Sequence, residues 1–159
     1  MKSKWLLLVL PLFLSACGYN SIQSMDETAA ASKQQIEVQL QRRADLIPNL
    51  VETVKGYAAQ EATIFTAVAE ARAGLVGAVR GGDVQQMANA NDQMTGALGR
   101  LLAISENYPQ LKSDQNFLRL QDELAGTENR IAVSRTDYNN AVRDYNAYIR
   151  RFPAVLTAK

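Results

Sequence analysis

Between Ser113 and Phe152 one pattern is kept without a lapse. Phe117, Leu120, Leu124, Thr127, Ile131, Ser134, Tyr138, Ala141, Tyr145, Tyr148 and Phe152 follow one another at steps of three and four. A seven-residue repeat held this long belongs to a long helix packed along its length against other helices, as in a coiled coil. About 40 residues at 1.5 Å each make a helix about 60 Å long. Ser113 is the expected N-cap, after the break at Tyr108-Pro109. Pro153 is expected to close the far end.

The rest of the chain reads the same way. Val84, Met87, Asn91, Met94, Leu98 and Leu101 predict a second helix from Asp83 to about Ser105. Gly81-Gly82 supplies a turn before it and Asp83 a capping carboxylate. Gly96 and Gly99 weaken that helix and are expected to admit a neighbouring backbone. Upstream, Ser21 to about Ala78 forms one helical pattern. Ile22, Met25, Ala29, Ser32, Ile36 and Leu40 make a first stripe, and Leu50, Val54, Tyr57, Ile64, Val68, Ala71 and Leu75 a second. Pro48 is the expected interruption, because a proline inside a helix removes a hydrogen bond and crowds the preceding turn. Two readings of Asp45-Leu46-Ile47-Pro48 stand open: a kink or short break near Leu46, or a new helix capped by Asp45 with Pro48 in its first turn. Strand alternation is absent. The predicted fold is all-α: an elongated antiparallel three- to four-helix bundle with coiled-coil-like packing.

The first seventeen residues carry an address. Lys2 and Lys4 precede an apolar run, Trp5 to Leu14, that is too short to span a bilayer. Small residues then lead to the single cysteine, an order typical of a secretory signal peptide. Leu14-Ser15-Ala16-Cys17 resembles the lipobox of bacterial lipoproteins, in which the cysteine becomes the lipidated first residue. The expected division is a signal peptide at 1–16, a tether at 17–28 and a helical bundle at 29–159. One acyl chain holds a membrane only marginally, but the resemblance implies three, hence lasting anchorage. Gly18, where an Asp would mark retention at the inner membrane, points to the outer membrane of a bacterial envelope, on the periplasmic side.

Composition removes several function classes. Without Lys2 and Lys4, 15 basic residues face 16 acidic ones. So even a balance lacks the concentrated basic face that nucleic acid requires, and no nucleic-acid partner is expected. There is no histidine, so the commonest general base and the commonest transition-metal ligand are missing. No G-x-S-x-G elbow or phosphate-cradling glycine loop appears. Glu52, Glu61, Glu106, Glu123 and Glu128 are the carboxylates to consider for a metal. Di-iron bundles pair such residues with histidine, and these read instead as solvated faces and local ion pairs, such as Asp122 with Arg119. No catalytic residue, metal or cofactor is expected.

One stretch is richer in Arg, Tyr and Asn than a plain bundle face requires: Arg135, Tyr138, Asn139, Arg143, Tyr145 and Asn146. Its structural reading buries the tyrosine rings on the seam, with hydroxyls reaching polar groups nearby. Arg42-Arg43 with Asp45 would then meet Asp137 or Asp144. Its functional reading is a partner-binding face, since Tyr and Arg are enriched at interface hot spots.

Gln35-Ile36-Glu37-Val38-Gln39-Leu40-Gln41-Arg42-Arg43-Ala44-Asp45-Leu46-Ile47-Pro48-Asn49-Leu50-Val51, Glu106-Asn107-Tyr108-Pro109, Thr127-Glu128-Asn129-Arg130-Ile131 and Val142-Arg143-Asp144-Tyr145-Asn146 together resemble the LemA family. The resemblance implies an all-helical bundle on the bacterial envelope. The expected function is a non-catalytic scaffold or adaptor, held to the membrane through lipid on Cys17, that self-associates or docks an envelope protein. The alternative is a module binding an ion, an envelope lipid or a peptidoglycan fragment in a groove between helices.

Overall fold

The computed structural model describes residues 3–152 and 154–156, with side chains from Tyr19 to Phe152 and at Ala154 and Val155. The side chains of the leader and of Cys17, and Pro153 with its expected role as a stop, lie outside the described residues. Five helices follow in order: α1 (Ser3–Lys55), α2 (Ala62–Gly81), α3 (Val84–Ala103), the single turn α4 (Pro109–Lys112) and α5 (Gln115–Ile149). Short 3-10 turns cover Ile104–Asn107 and Ala154–Leu156, and no strand occurs among the described residues. Residues 17–28, expected as a tether, are helical and part of α1. The chain divides into two compact units, Gln35–Val133 and Met1–Gln34 with Ser134–Lys159.

In the unit of residues 35–133, the predicted stripes become a four-helix core. Ile36, Leu40, Ala44, Ile47, Leu50 and Val54 of α1 are buried, as are Phe65, Val68 and Leu75 of α2. Met87, Met94, Leu98 and Leu101 of α3 and Phe117, Leu120, Leu124 and Ile131 of α5 complete it. Burying a side chain of this size contributes roughly 1.5–3 kcal/mol. Two hydrogen bonds fix α1 against α5: Arg130 Nε donates to Gln39 Oε1 at 3.1 Å, and Asn116 Nδ2 to Thr53 Oγ1 at 3.0 Å. Both pairs are separated by the same 14 residues along each helix, so here the two run antiparallel in constant register.

Helix ends follow local chemistry. Gly82, at φ 70°, closes α2 in the left-handed conformation that favours glycine. Asp83 caps α3 as expected, its Oδ1 accepting from the Gln86 N–H at 2.7 Å. The cap of α5 is Asp114, not Ser113: Asp114 Oδ1 takes the Phe117 N–H at 2.8 Å, while the Ser113 hydroxyl donates back to the Pro109 carbonyl at 3.1 Å. Gly96 and Gly99 make no close approach; a Cβ on either would meet nothing within 4 Å. They lie on the exposed side of α3, away from Met94, Ala97 and Leu98.

Of the alternatives at Pro48, neither a break near Leu46 nor a new helix starting at Asp45 occurs. Helix α1 is continuous through Pro48 and stops only at Lys55. Asp45 caps no new helix; it accepts from Gln41 Nε2 within α1 at 2.8 Å. Because Pro48 has no N–H, the Ala44 carbonyl lacks its helical donor. Arg72 of α2 fills that place, its Nε donating to Ala44 O at 2.8 Å. The chain turns instead at residues 56–61. Ala58 is fully buried there, and Lys55 Nζ lies 5.7 Å from the centre of the Phe65 ring, across the turn. The Tyr57 hydroxyl donates to Asp114 Oδ2 at 2.8 Å, and Gln60 Nε2 to the Tyr108 hydroxyl. The second stripe marks this turn by its gap, for Gln60 and Glu61 stand where an apolar residue was due.

The unit of residues 1–34 and 134–159 contains an antiparallel pair, the first part of α1 against the last part of α5. Ile22 is buried, and Met25, Ala29 and Ser32 are half-buried, as are Tyr138, Ala141, Val142, Tyr145 and Tyr148. Two helices cover each other on one side only, which is why the seam stays partly open. Phe152 does not continue it. Helix α5 ends at Ile149, and Phe152 stands 81% exposed beyond it.

Candidate functional site

Three places combine polar or aromatic groups in ways that ordinary bundle packing does not require. The first is buried in the unit of residues 35–133. Arg43 lies one position from the exposed Arg42, on the core face of α1 between Leu40 and Ile47, with 4% of its surface accessible. Its Nη1 donates to Asn91 Oδ1 and pairs with Glu128, and its Nη2 donates to Thr95 Oγ1 at 3.0 Å. Asn91 Nδ2 completes the set at 3.4 Å from Glu128 Oε1. One guanidinium thus joins α1 to both α3 and α5. Burial lowers the pKa of Arg43 from its ordinary value, while the charge and hydrogen bond of Glu128, and the charge of Asp92, oppose that shift. Arg43 Nε is buried without a hydrogen-bond partner among the described residues. This cluster replaces the expected meeting of Arg42-Arg43 with Asp137 or Asp144; Asp144 accepts from its neighbour Arg143 at 3.3 Å.

The sequence does hint at this cluster. Asn91 and Thr127 are polar residues at core positions of their stripes, and both are buried. Arg43, three residues after Leu40 and four before Ile47, shares their geometry. Polar groups on a core face have to find partners, and these do. Thr127 donates to the Glu123 carbonyl at 2.8 Å and accepts from Arg130 Nη2 at 3.0 Å.

The second place is an open groove of 580 Å³ between α1 and α5. Arg42 lines it from α1; Arg119, Asp122, Glu123, Gly126 and Arg130 line it from α5, with Gln115 and Leu118. Asp122 and Arg119 form no ion pair there; Arg119 Nη2 donates to Asn116 Oδ1 at 2.7 Å. A Cβ at Gly126 would sit 3.5 Å from Arg130 Nη1, an ordinary contact, so the groove has room for a small side chain there. Three cations and two carboxylates suit ion pairing with the side chains of a partner. The groove offers no thiol, hydroxyl or imidazole to act as a nucleophile.

The carboxylates weighed as metal ligands are spread through the unit. Glu52 pairs with Lys55 at 3.1 Å, Glu106 with Lys112 at 2.9 Å, and Glu128 with Arg43. Among the described residues no three Asp, Glu or Cys groups come together as a metal site.

The third place is the Arg-Tyr-Asn stretch on α5, in the other unit. Arg135, Tyr138, Tyr145 and Asn146 are half-buried, and Asn139 and Arg143 are exposed. With Tyr138 and Tyr145 neither buried nor fully exposed, the stretch combines features of its structural and its functional reading.

The family model described as the LemA family matches residues 32–159. The chain belongs to the LemA family. Two magnetosome proteins MamQ of Paramagnetospirillum magneticum are each 31% identical to it over 158 residues, and MamQ of Magnetospirillum gryphiswaldense is 30% identical. Each alignment covers 85% of this chain and 58% of the relative, so the chain spans little more than half the length of these curated relatives. The LemA match takes in the Arg43 cluster, the groove and the Arg-Tyr-Asn stretch, and leaves Cys17 outside. Among the described residues of this LemA protein, α2 is the one helix long and apolar enough to cross a membrane. Only 22% of that stretch is buried, with Phe65, Val68 and Leu75 in the core and Arg72 bonded back to α1, so packing in the bundle accounts for part of its apolar composition.

Proposed function

We propose that this LemA protein is a non-catalytic scaffold or adaptor of the bacterial envelope. Lipid on Cys17 holds it to the periplasmic face of a membrane, the outer membrane in preference to the inner, and its helices present a docking surface to an envelope protein or a second copy. The observation that carries the reading is the open seam of the antiparallel pair. Tyr138 and Tyr145 are only half-covered, and exposed Asn139 and Arg143 flank them. Aromatic rings with one wet side, framed by Arg and Asn, gain the most from a partner that removes the remaining water. The lack of histidine and of any clustered metal-ligating side chains among the described residues favours docking over chemistry. The curated relatives are named as magnetosome proteins.

Two substitutions test the docking surface. Arg143→Glu is expected to leave the melting curve unchanged and to abolish recovery of the partner in pull-downs. Tyr145→Ala is expected to weaken both. Loss of stability in Arg143→Glu with partners retained would overturn the reading. Anchorage is tested separately: labelled palmitate should enter the wild type and not Cys17→Ser.

A further inference from the structure

Beyond Ile149 the described residues keep backbone hydrogen bonds. The Arg151 N–H donates to the Tyr148 carbonyl at 3.0 Å, and the Val155 N–H to the Arg151 carbonyl at 2.9 Å, closing a turn that leads into the 3-10 segment Ala154–Leu156. Ala154 faces inward, with 4% of its surface accessible. This built turn thrusts Phe152 and Val155 outward, 81% and 49% exposed, beside exposed Arg150 and Arg151. Phe152 is the most exposed of the large apolar side chains described.

The level at which this turn lies gives it meaning. Gln34 and Ser134 stand at the boundary of the unit, and from there α1 and α5 run as an antiparallel pair for 16 residues each, to Tyr19 and Ile149. The turn therefore lies level with Tyr19, two residues from Cys17. Tyr19 is itself a 55% exposed aromatic. Neither residues 17–25 nor residues 145–156 include an acidic side chain. Two exposed aromatics, an exposed valine and two arginines, free of carboxylates, gather where the chain meets its anchor. Aromatic rings favour the layer between headgroups and acyl chains, and arginines favour anionic headgroups.

We propose that this end of the helix pair is a membrane-contact surface for anionic phospholipid: Phe152 and Val155 enter the interfacial layer while Arg150 and Arg151 meet phosphate headgroups. The inference rests on the reading that the Cys17 end is held at a membrane. Its contribution is to set the attitude of the helix pair, since a lipid tether alone leaves the protein free to swivel.

The mature lipidated chain, which begins at Cys17 and so lacks Trp5, has one indole when it carries Phe152→Trp. Reconstituted into phosphatidylcholine vesicles with a quarter of phosphatidylglycerol, it is first floated on a density gradient, which reports anchorage alone. Lipids brominated high on their acyl chains then report contact at position 152. The expected result is flotation, blue-shifted emission and quenching, with the quenching at least halved by Arg150→Glu with Arg151→Glu and in vesicles lacking phosphatidylglycerol. Flotation with water-like, unquenched emission would overturn the inference while sparing the anchor. A blue shift without quenching, the mark of a protein contact, would overturn it as well. Failure to float would sink the anchorage and this inference together.

Discussion

Arg72 donates its Nε–H to the carbonyl of Ala44 at 2.8 Å, the position Pro48 leaves without a helical donor. A side chain 28 residues away in sequence thus repairs the defect that a proline makes in α1, and the helix passes through. The repair gives a thermodynamic cycle with a definite sign. Arg72→Met strands the carbonyl and should cost about 1–2 kcal/mol in urea unfolding. Pro48→Ala restores the backbone donor, so in that background the same substitution should cost less than half as much. Equal costs in the two backgrounds would mean that Arg72 stabilises the bundle by packing alone.

The Arg43 cluster leads to an asymmetric expectation. The Arg43 side chain is 5% accessible and that of Glu128 41%, so the cation is the partner that cannot return to water. Glu128→Leu strands a buried guanidinium and should cost about 3 kcal/mol. Joint replacement, Arg43→Met with Asn91→Leu, removes both buried polar groups and leaves one buried carboxylate oxygen, Glu128 Oε2, on a side chain that is otherwise 41% accessible. It should cost less than Glu128→Leu alone, as measured by chemical denaturation.

Acid should loosen the end of the bundle where Tyr57 meets Asp114. The Phe117 backbone N–H, foremost, and then the Tyr57 hydroxyl hold the Asp114 carboxyl below its ordinary pKa. A depressed carboxyl contributes stability above its unfolded value, about 3.9, and loses that contribution as pH falls toward the folded value. Melting temperatures of the wild type and Asp114→Asn should therefore converge as pH is lowered from 5 to below about 3. Parallel curves over that range would refute the assignment.

Much of the fold was legible because helical packing repeats. Phe117, Leu120, Leu124, Thr127 and Ile131 keep their steps in the sequence and face the core in the structure, and the Gly82 turn and Asp83 cap lie where local chemistry puts them. What escaped was decided at a distance or between neighbours. Pro48 breaks a helix only by a local rule, and the Arg72 contact that overrides it is tertiary. Ser113 was the expected cap, but α5 begins one residue later than the break at Pro109 suggests, and Asp114 takes the Phe117 N–H instead. Phe152 continues the heptad on paper, but α5 has already ended, so the spacing no longer describes a face. The Arg-Tyr-Asn stretch was visible as composition; its half-burial depends on how many helices cover it, which periodicity does not count.

Docking at the open seam can be read out in living cells. A photo-cross-linking residue placed at Asn139, exposed beside half-covered Tyr138 and Tyr145, should give one discrete protein adduct on illumination, from an envelope partner or a second copy. Arg143→Glu should abolish that adduct without changing the amount of folded protein. Cross-linking to no protein, or an adduct indifferent to Arg143→Glu while the bundle stays folded, would contradict the account.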